Sequence, residues 1–139
     1  EGEDIPPPQS LLKNVKQETA ALKLPWMPYS ILTNLEHADF WQRVWLSKLK
    51  GVRAGSFMKD WRVPPHSEWP SVRASFLENL QEAMRIAASD PFEHHMKSDA
   101  AAVKTLLNLA IHSVYHLGQV NLLKRELRLL RTRPFSQTE

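Results

Sequence analysis

Two histidines four residues apart, His112 and His116, stand in a long run that is apolar on nearly every side as far as Leu117. On a helix this spacing stacks the imidazoles on one face with their Cβ atoms roughly 5–6 Å apart, so both rings can reach one metal ion. At 3.6 residues per turn they share a stripe with Thr105, Leu109, Val120, Leu123 and Leu127, which turns them toward the core. Each buried ring must find a polar partner away from water. A shared ion satisfies both rings, and so does a hydrogen-bonded pair. The spacing alone does not choose between them.

A third ligand has to come from a neighbouring helix. His37, beside Trp41 at the edge of another apolar stripe, is the best placed by depth, although a boundary histidine filling a gap against Trp41 has the same pattern. Three neutral imidazoles leave one coordination position free, the arrangement of a catalytic rather than a structural site. Gln119, one turn beyond His116, is positioned to hydrogen-bond a ligand there, or to be an ordinary buried amide. Gly118 costs roughly 0.5–1 kcal/mol in a helix relative to alanine, and its expected role is the close approach of a neighbouring helix or subunit. His94 and His95 fall in a turn and point apart, so they read as solvated loop residues. His66 sits beside Pro65 and is assigned no role.

Four helices are expected to position these groups. The first spans residues 10–22, with Leu11, Val15 and Leu22 on one side, and ends at Pro25. Ser30 caps a second that runs to Lys50 with Ile31, Leu35, Ala38, Trp41, Trp45 and Leu49 inward, Glu36, Asp39 and Arg43 outward, and Gly51 at its end. Ser67 caps a third that runs to Ala88, with Val72, Phe76, Leu80, Ala83 and Ala87 inward. The last covers residues 98–131, and its apolar character all round is that of a helix buried among others. Helices of this number and length predict an all-α four-helix bundle with its sites on inward side chains. Residues 52–66 are too long for an ordinary bundle connection of about 2–8 residues. They suit a crossing between parallel helices two and three, or a lid over a site.

Composition narrows the function. The 139 residues fit one domain, 1–139, with flexible ends at 1–9 and 132–139. No apolar run approaches the roughly 18 residues of a membrane span. The chain has no cysteine, so disulfides, thiolate ligands and a cysteine nucleophile are excluded and any metal must sit on nitrogen and oxygen. The acidic Glu1, Glu3 and Asp4 before Pro6, Pro7 and Pro8 are unlike a signal peptide, which makes a cytoplasmic location the expectation. The net charge of +3 gathers at Lys124, Arg125, Arg128, Arg131 and Arg133. Cations in the last turns complement the helix dipole, and with no reading motif or interleaved aromatics they do not predict nucleic-acid binding.

The run Ile111-His112-Ser113-Val114-Tyr115-His116-Leu117-Gly118-Gln119-Val120, with Leu122, Leu123 and Arg125 after it, resembles the last-helix signature of the DinB/YfiT-like superfamily. Leu35-Glu36-His37-Ala38-Asp39-Phe40-Trp41 resembles its second-helix block, introduced by Pro28-Tyr29-Ser30-Ile31 and followed by Leu46, Leu49 and Gly51. The resemblance implies an up-down-down-up four-helix bundle with a long crossover between helices 2 and 3. It implies a divalent metal, nickel or zinc, on His37, His112 and His116, and a homodimer. Activities in that superfamily are thiol-dependent transfer or isomerisation with low-molecular-weight thiols, while other members are described as metal-dependent hydrolases. After Leu127 the chain departs from the pattern, being basic and polar where relatives continue with glycine and a tryptophan-proline segment.

The function expected from the sequence is therefore a metal-dependent enzyme acting on a small-molecule substrate, by thiol transfer or hydrolysis. The alternative is a non-catalytic helical bundle with a structural metal or a partner-binding role.

Overall fold

The computed structural model describes residues 6–53, 55 and 59–132. Among them the chain forms helices and no strand: α1 (Pro8–Leu12), α2 (Gln17–Ala21), α3 (Ile31–Lys50), a 3-10 turn (His66–Glu68), α4 (Trp69–Ala87) and α5 (Asp99–Thr132). No helix is long and apolar enough to cross a membrane among the described residues.

The expected first helix is two short ones. Asn14 takes a left-handed backbone (φ 64°) between them, a conformation that asparagine tolerates and a helix does not. The break changes which side chains are inward: Leu12, Ala20 and Leu24 join Val15 in the core, while Leu22 is exposed. The chain is already helical from Pro8, inside the end expected to be flexible; residues 1–5 and 133–139 lie outside the described residues.

The caps of α3 follow the sequence reading. Ser30 Oγ accepts the backbone N–H of Thr33 at 3.1 Å, and Gly51 closes the helix at φ 66°. A side chain at Gly51 would also meet His95, whose Cβ lies 2.8 Å from where a Cβ would stand. The start of α4 differs: Ser67 lies inside the 3-10 turn, and Glu68 takes the cap position with no capping side chain. Along α4 the inward residues include Trp69 and Ile86, while Ala87 is exposed. Ser98 caps α5 by accepting the N–H of Ala101.

Helix α3 lies between α4 and α5. Asp39 accepts hydrogen bonds from Ser75 (2.6 Å) and Asn79 (2.9 Å) of α4, and Lys50 pairs with Glu82 (2.9 Å), so α3 and α4 run in the same sense. Asn34 meets Gln119 and Gln42 meets Ser113, so α5 runs against them. This sandwiching overturns the outward assignment of Glu36 and Asp39, while Arg43 beside them stays part-exposed. Both acids are buried, Asp39 held by Ser75, Asn79 and Arg43, and Glu36 by Arg43 and Arg62. Burial raises the Asp39 pKa above the ordinary carboxylate range despite these partners.

Two apolar clusters form the core. One joins α1 and α2 to Leu35, Trp69, Phe76, Leu117 and Val120; the other holds Leu46, Leu49, Ala83, Ile86 and Leu109. Between them, where α3 faces α5, runs a layer of buried polar side chains that includes His37, Gln42, Ser113 and His116.

Candidate metal centre

The polar layer brings together all three histidines expected to bind an ion. Each of His37, His112 and His116 offers a ring nitrogen, and these atoms lie within 4.8 Å of one another. His37 comes from α3 and the other two from consecutive turns of α5, so the antiparallel packing of two helices is enough to assemble the cluster. His112 Nε2 faces His116 Nε2 at 3.2 Å, and the His37 ring centroid is 4.7 Å from that of His116.

The outer nitrogens show what the inner ones must do. His116 Nδ1 is 2.8 Å from Asn34 Oδ1, an oxygen that only accepts, so the proton sits on Nδ1 and Nε2 carries a lone pair. Asn34 is itself oriented by Gln119, whose Oε1 accepts from Asn34 Nδ2 at 2.9 Å. Gln119 thus acts two bonds away from the centre and fixes which end of the Asn34 amide meets the ring. On the other side His37 Nδ1 donates to Asp60 Oδ1 at 2.5 Å, which leaves Nε2 as the nitrogen that faces the cluster. The second carboxylate oxygen takes the indole N–H of Trp41 at 3.1 Å. His112 Nδ1 is buried without a hydrogen-bond partner among the described residues. A neutral ring protonated there turns a third lone pair into the same space.

With the rings neutral and protonated on Nδ1, three lone pairs converge where a cation would sit, and the outer partners of His37 and His116 are of the kind that orient ligating imidazoles. Such a set of three ring nitrogens could hold a divalent metal ion. The electrostatics agree with neutral rings. Burial, then the neighbouring His112 and His37, lowers the His116 pKa from 6.5 to about 4, and burial lowers that of His112.

Asn34, Asp60 and Trp61 are the residues around the cluster that sequence reasoning missed, and the last two come from outside the helices. Asp60 and Trp61 lie in the long crossing, part of which (54 and 56–58) falls outside the described residues. Trp61 is a bulky residue in the left-handed region (φ 54°), a conformation that costs of order 1–3 kcal/mol and persists only where the surroundings impose it. Its indole stacks on His37 at 3.7 Å between centroids and on Tyr29 at 5.1 Å. The next residue, Arg62, bonds Glu36 of α3 at 3.1 Å and grips Glu68 at the start of α4. Residues 60–62 of the crossing thus lie pinned over the His37 side of the cluster.

The remaining histidines lie elsewhere. His66 opens the 3-10 turn and is exposed. His95 is exposed and uses its backbone N–H to bond Leu49 O. His94 is not solvated as expected: its ring packs on Phe92 and pairs with Asp99 at 2.7 Å, with only 8% of the side chain exposed. None of the three joins the cluster.

Compared with protein-family models, with curated proteins and with solved structures, the chain matches none at a significant level.

Proposed function

We propose that the chain is a metal-dependent enzyme of the DinB-like type, built as an up-down-down-up four-helix bundle in which α1 and α2 together form the first helical limb. It holds nickel or zinc on His37, His112 and His116 and acts on a small-molecule substrate, with a low-molecular-weight thiol as co-substrate or, in the hydrolytic version, with water. The observation that carries this reading is the convergence of three imidazoles whose ring nitrogens lie within 4.8 Å, two of them with their outer nitrogens already engaged.

A divalent ion bound there supplies Lewis acidity to whatever substrate atom reaches it. The chain's own residues do the rest. Asp60 holds the His37 proton on Nδ1, while Asn34 and Gln119 hold the His116 proton on Nδ1, so neither ring can flip to the wrong tautomer. Trp61 covers one flank of the cluster. On the other flank Trp45, Asn108, Ile111, His112 and Tyr115 line a recess of about 340 Å³, an approach for a small substrate at the His112 edge. Three protein ligands and no cysteine leave the ion a position for that substrate.

Cobalt substitution tests the reading. The visible spectrum of the cobalt-loaded chain should change as a small thiol is titrated in, with saturation, and the change should be absent in His112→Ala. A cobalt spectrum indifferent to thiols and small anions would favour the non-catalytic bundle with a structural metal.

A further inference from the structure

Away from the histidine cluster, cations from two parts of the chain converge on one recess. Where the turn between α1 and α2 meets the C-terminal part of α5, Lys13, Lys16, Lys124, Arg128 and Arg131 line a concavity of about 240 Å³ whose buried wall includes Val15 and Leu127. On α5 the three cations stand at i, i+4 and i+7, the spacing of one helix face. Across from them Asn14, left-handed at φ 64°, ends α1 and turns the chain so that the lysines on either side of the break, Lys13 and Lys16, reach the same space.

The ordinary roles of surface cations do not account for this gathering. The helix dipole favours cations in the last turn, which holds Arg131 but neither Lys124 nor the two lysines before α2. Elsewhere the chain pairs its cations with acids: Arg43 with Asp39, Lys50 with Glu82, Arg62 with Glu68 and Arg85 with Glu93. Among the described residues no carboxylate lines this recess, and none of its cations is in an ion pair. Burial, then the neighbouring Arg128, lowers the Lys124 pKa from its ordinary value. Two of the groups are nevertheless fastened in place. Lys124 Nζ donates to the carbonyl oxygen of Leu11, and Arg131 Nη2 donates to Thr19 Oγ1 at 3.1 Å.

We infer that this recess binds a small soluble compound through a multiply charged phosphate group, a phosphate monoester or a diphosphate. Positive charge gathered from two segments exceeds what a single carboxylate would balance, and arginine forks match phosphate oxygens. The volume lies below the roughly 300–1,000 Å³ of a pocket for a drug-sized ligand, so the recess takes the phosphate-bearing end of a molecule. A closed concavity also differs from the groove that tracks a nucleic-acid backbone. Leu127 lies roughly 16 Å along α5 from His116, so neither the metal nor the proposed chemistry bears on this site.

Calorimetric titration of inorganic pyrophosphate into the tag-free chain should show saturable binding of one ion per chain at micromolar concentration, and acetate should bind far more weakly. Arg128→Gln and Lys13→Gln alter exposed side chains and should keep the helicity of the parent, yet each should weaken pyrophosphate binding by about tenfold or more. Lys104→Gln removes one cation about 36 Å away along the same helix and should change the affinity by less than about twofold. His112→Ala should bind pyrophosphate as the parent does, which separates the recess from an anion drawn to a metal. Tighter binding to anionic phospholipid vesicles or to a DNA duplex than to pyrophosphate would overturn the proposal. So would equal losses in Lys104→Gln and Arg128→Gln, loss of binding in His112→Ala, or no pyrophosphate binding below millimolar concentration.

Discussion

Zinc or nickel at about one hundred times its dissociation constant should stabilise the chain by roughly 2.7 kcal/mol at pH 7.5, a rise in Tm of about 10 °C for a domain of this size. His116→Ala should show almost none of this gain, because it removes one of three converging lone pairs. The pH dependence follows from the lowered pKa values. In the unfolded chain a histidine takes up its proton near pH 6.5, whereas in the folded chain His116 does so only near 4. Between these values the unfolded state binds more protons than the native state, so the stability His116 contributes is present above pH 6.5 and is lost as pH falls toward 4. Metal must compete with those same protons. Thermal melts with and without metal across pH 4–7.5 should therefore show a gain that persists near pH 6 and disappears toward pH 4. An equal gain in His116→Ala would place the ion elsewhere.

The second large effect is expected at a residue that would not touch the ion. Asp60→Ala removes the acceptor for His37 Nδ1–H, the anchor of the Trp41 indole and the local bond to the Trp61 backbone N–H. Loss of such an outer partner typically costs 10–100-fold in metal affinity, so Asp60→Ala should weaken zinc or nickel binding by about that factor. Asp60→Asn keeps an accepting oxygen and should fall between the two. Asp60 is partly exposed and belongs to no helix, so the far-ultraviolet circular dichroism of the metal-free variants should match that of the parent chain. Calorimetric affinities within a factor of about two of the parent would mean that the carboxylate is a bystander.

What the sequence disclosed, and what it concealed, follows from the physics of each element. The stripe from Thr105 to Leu127 is inward as the helical period requires, and the histidines on it meet His37, because one long antiparallel contact between two regular helices can be read from periodicity. The caps at Ser30 and Gly51 are local chemistry and were legible for the same reason. Glu36 and Asp39 were misplaced because a helix packed on two sides buries its polar face too, given partners such as Arg62, Ser75 and Asn79 from distant segments. The first helix broke at Asn14, where a left-handed residue interrupts a continuous apolar pattern. Asn34, three residues before His37 and on the same face, could have been found from its spacing. Asp60 and Trp61 could not, since an irregular crossing has no period and only the tertiary contacts show that it returns to His37. The last helix was expected to be covered on every side, yet Leu107, Ile111 and Leu122 are more than half exposed, because periodicity cannot say whether an apolar face is covered by the same chain. Nor does Gly118 admit a close neighbour within the chain, since a Cβ built on it meets nothing within 4 Å.

The central claim is one divalent ion on three histidines, and metal analysis tests it most directly. Tag-free protein exposed to equimolar zinc or nickel, freed of loose metal and analysed by mass spectrometry, should retain close to one ion per chain. The variant with His37, His112 and His116 all replaced by alanine should retain close to none. Retention of the ion by that triple variant, or failure of the parent chain to hold any ion at neutral pH, would contradict the account.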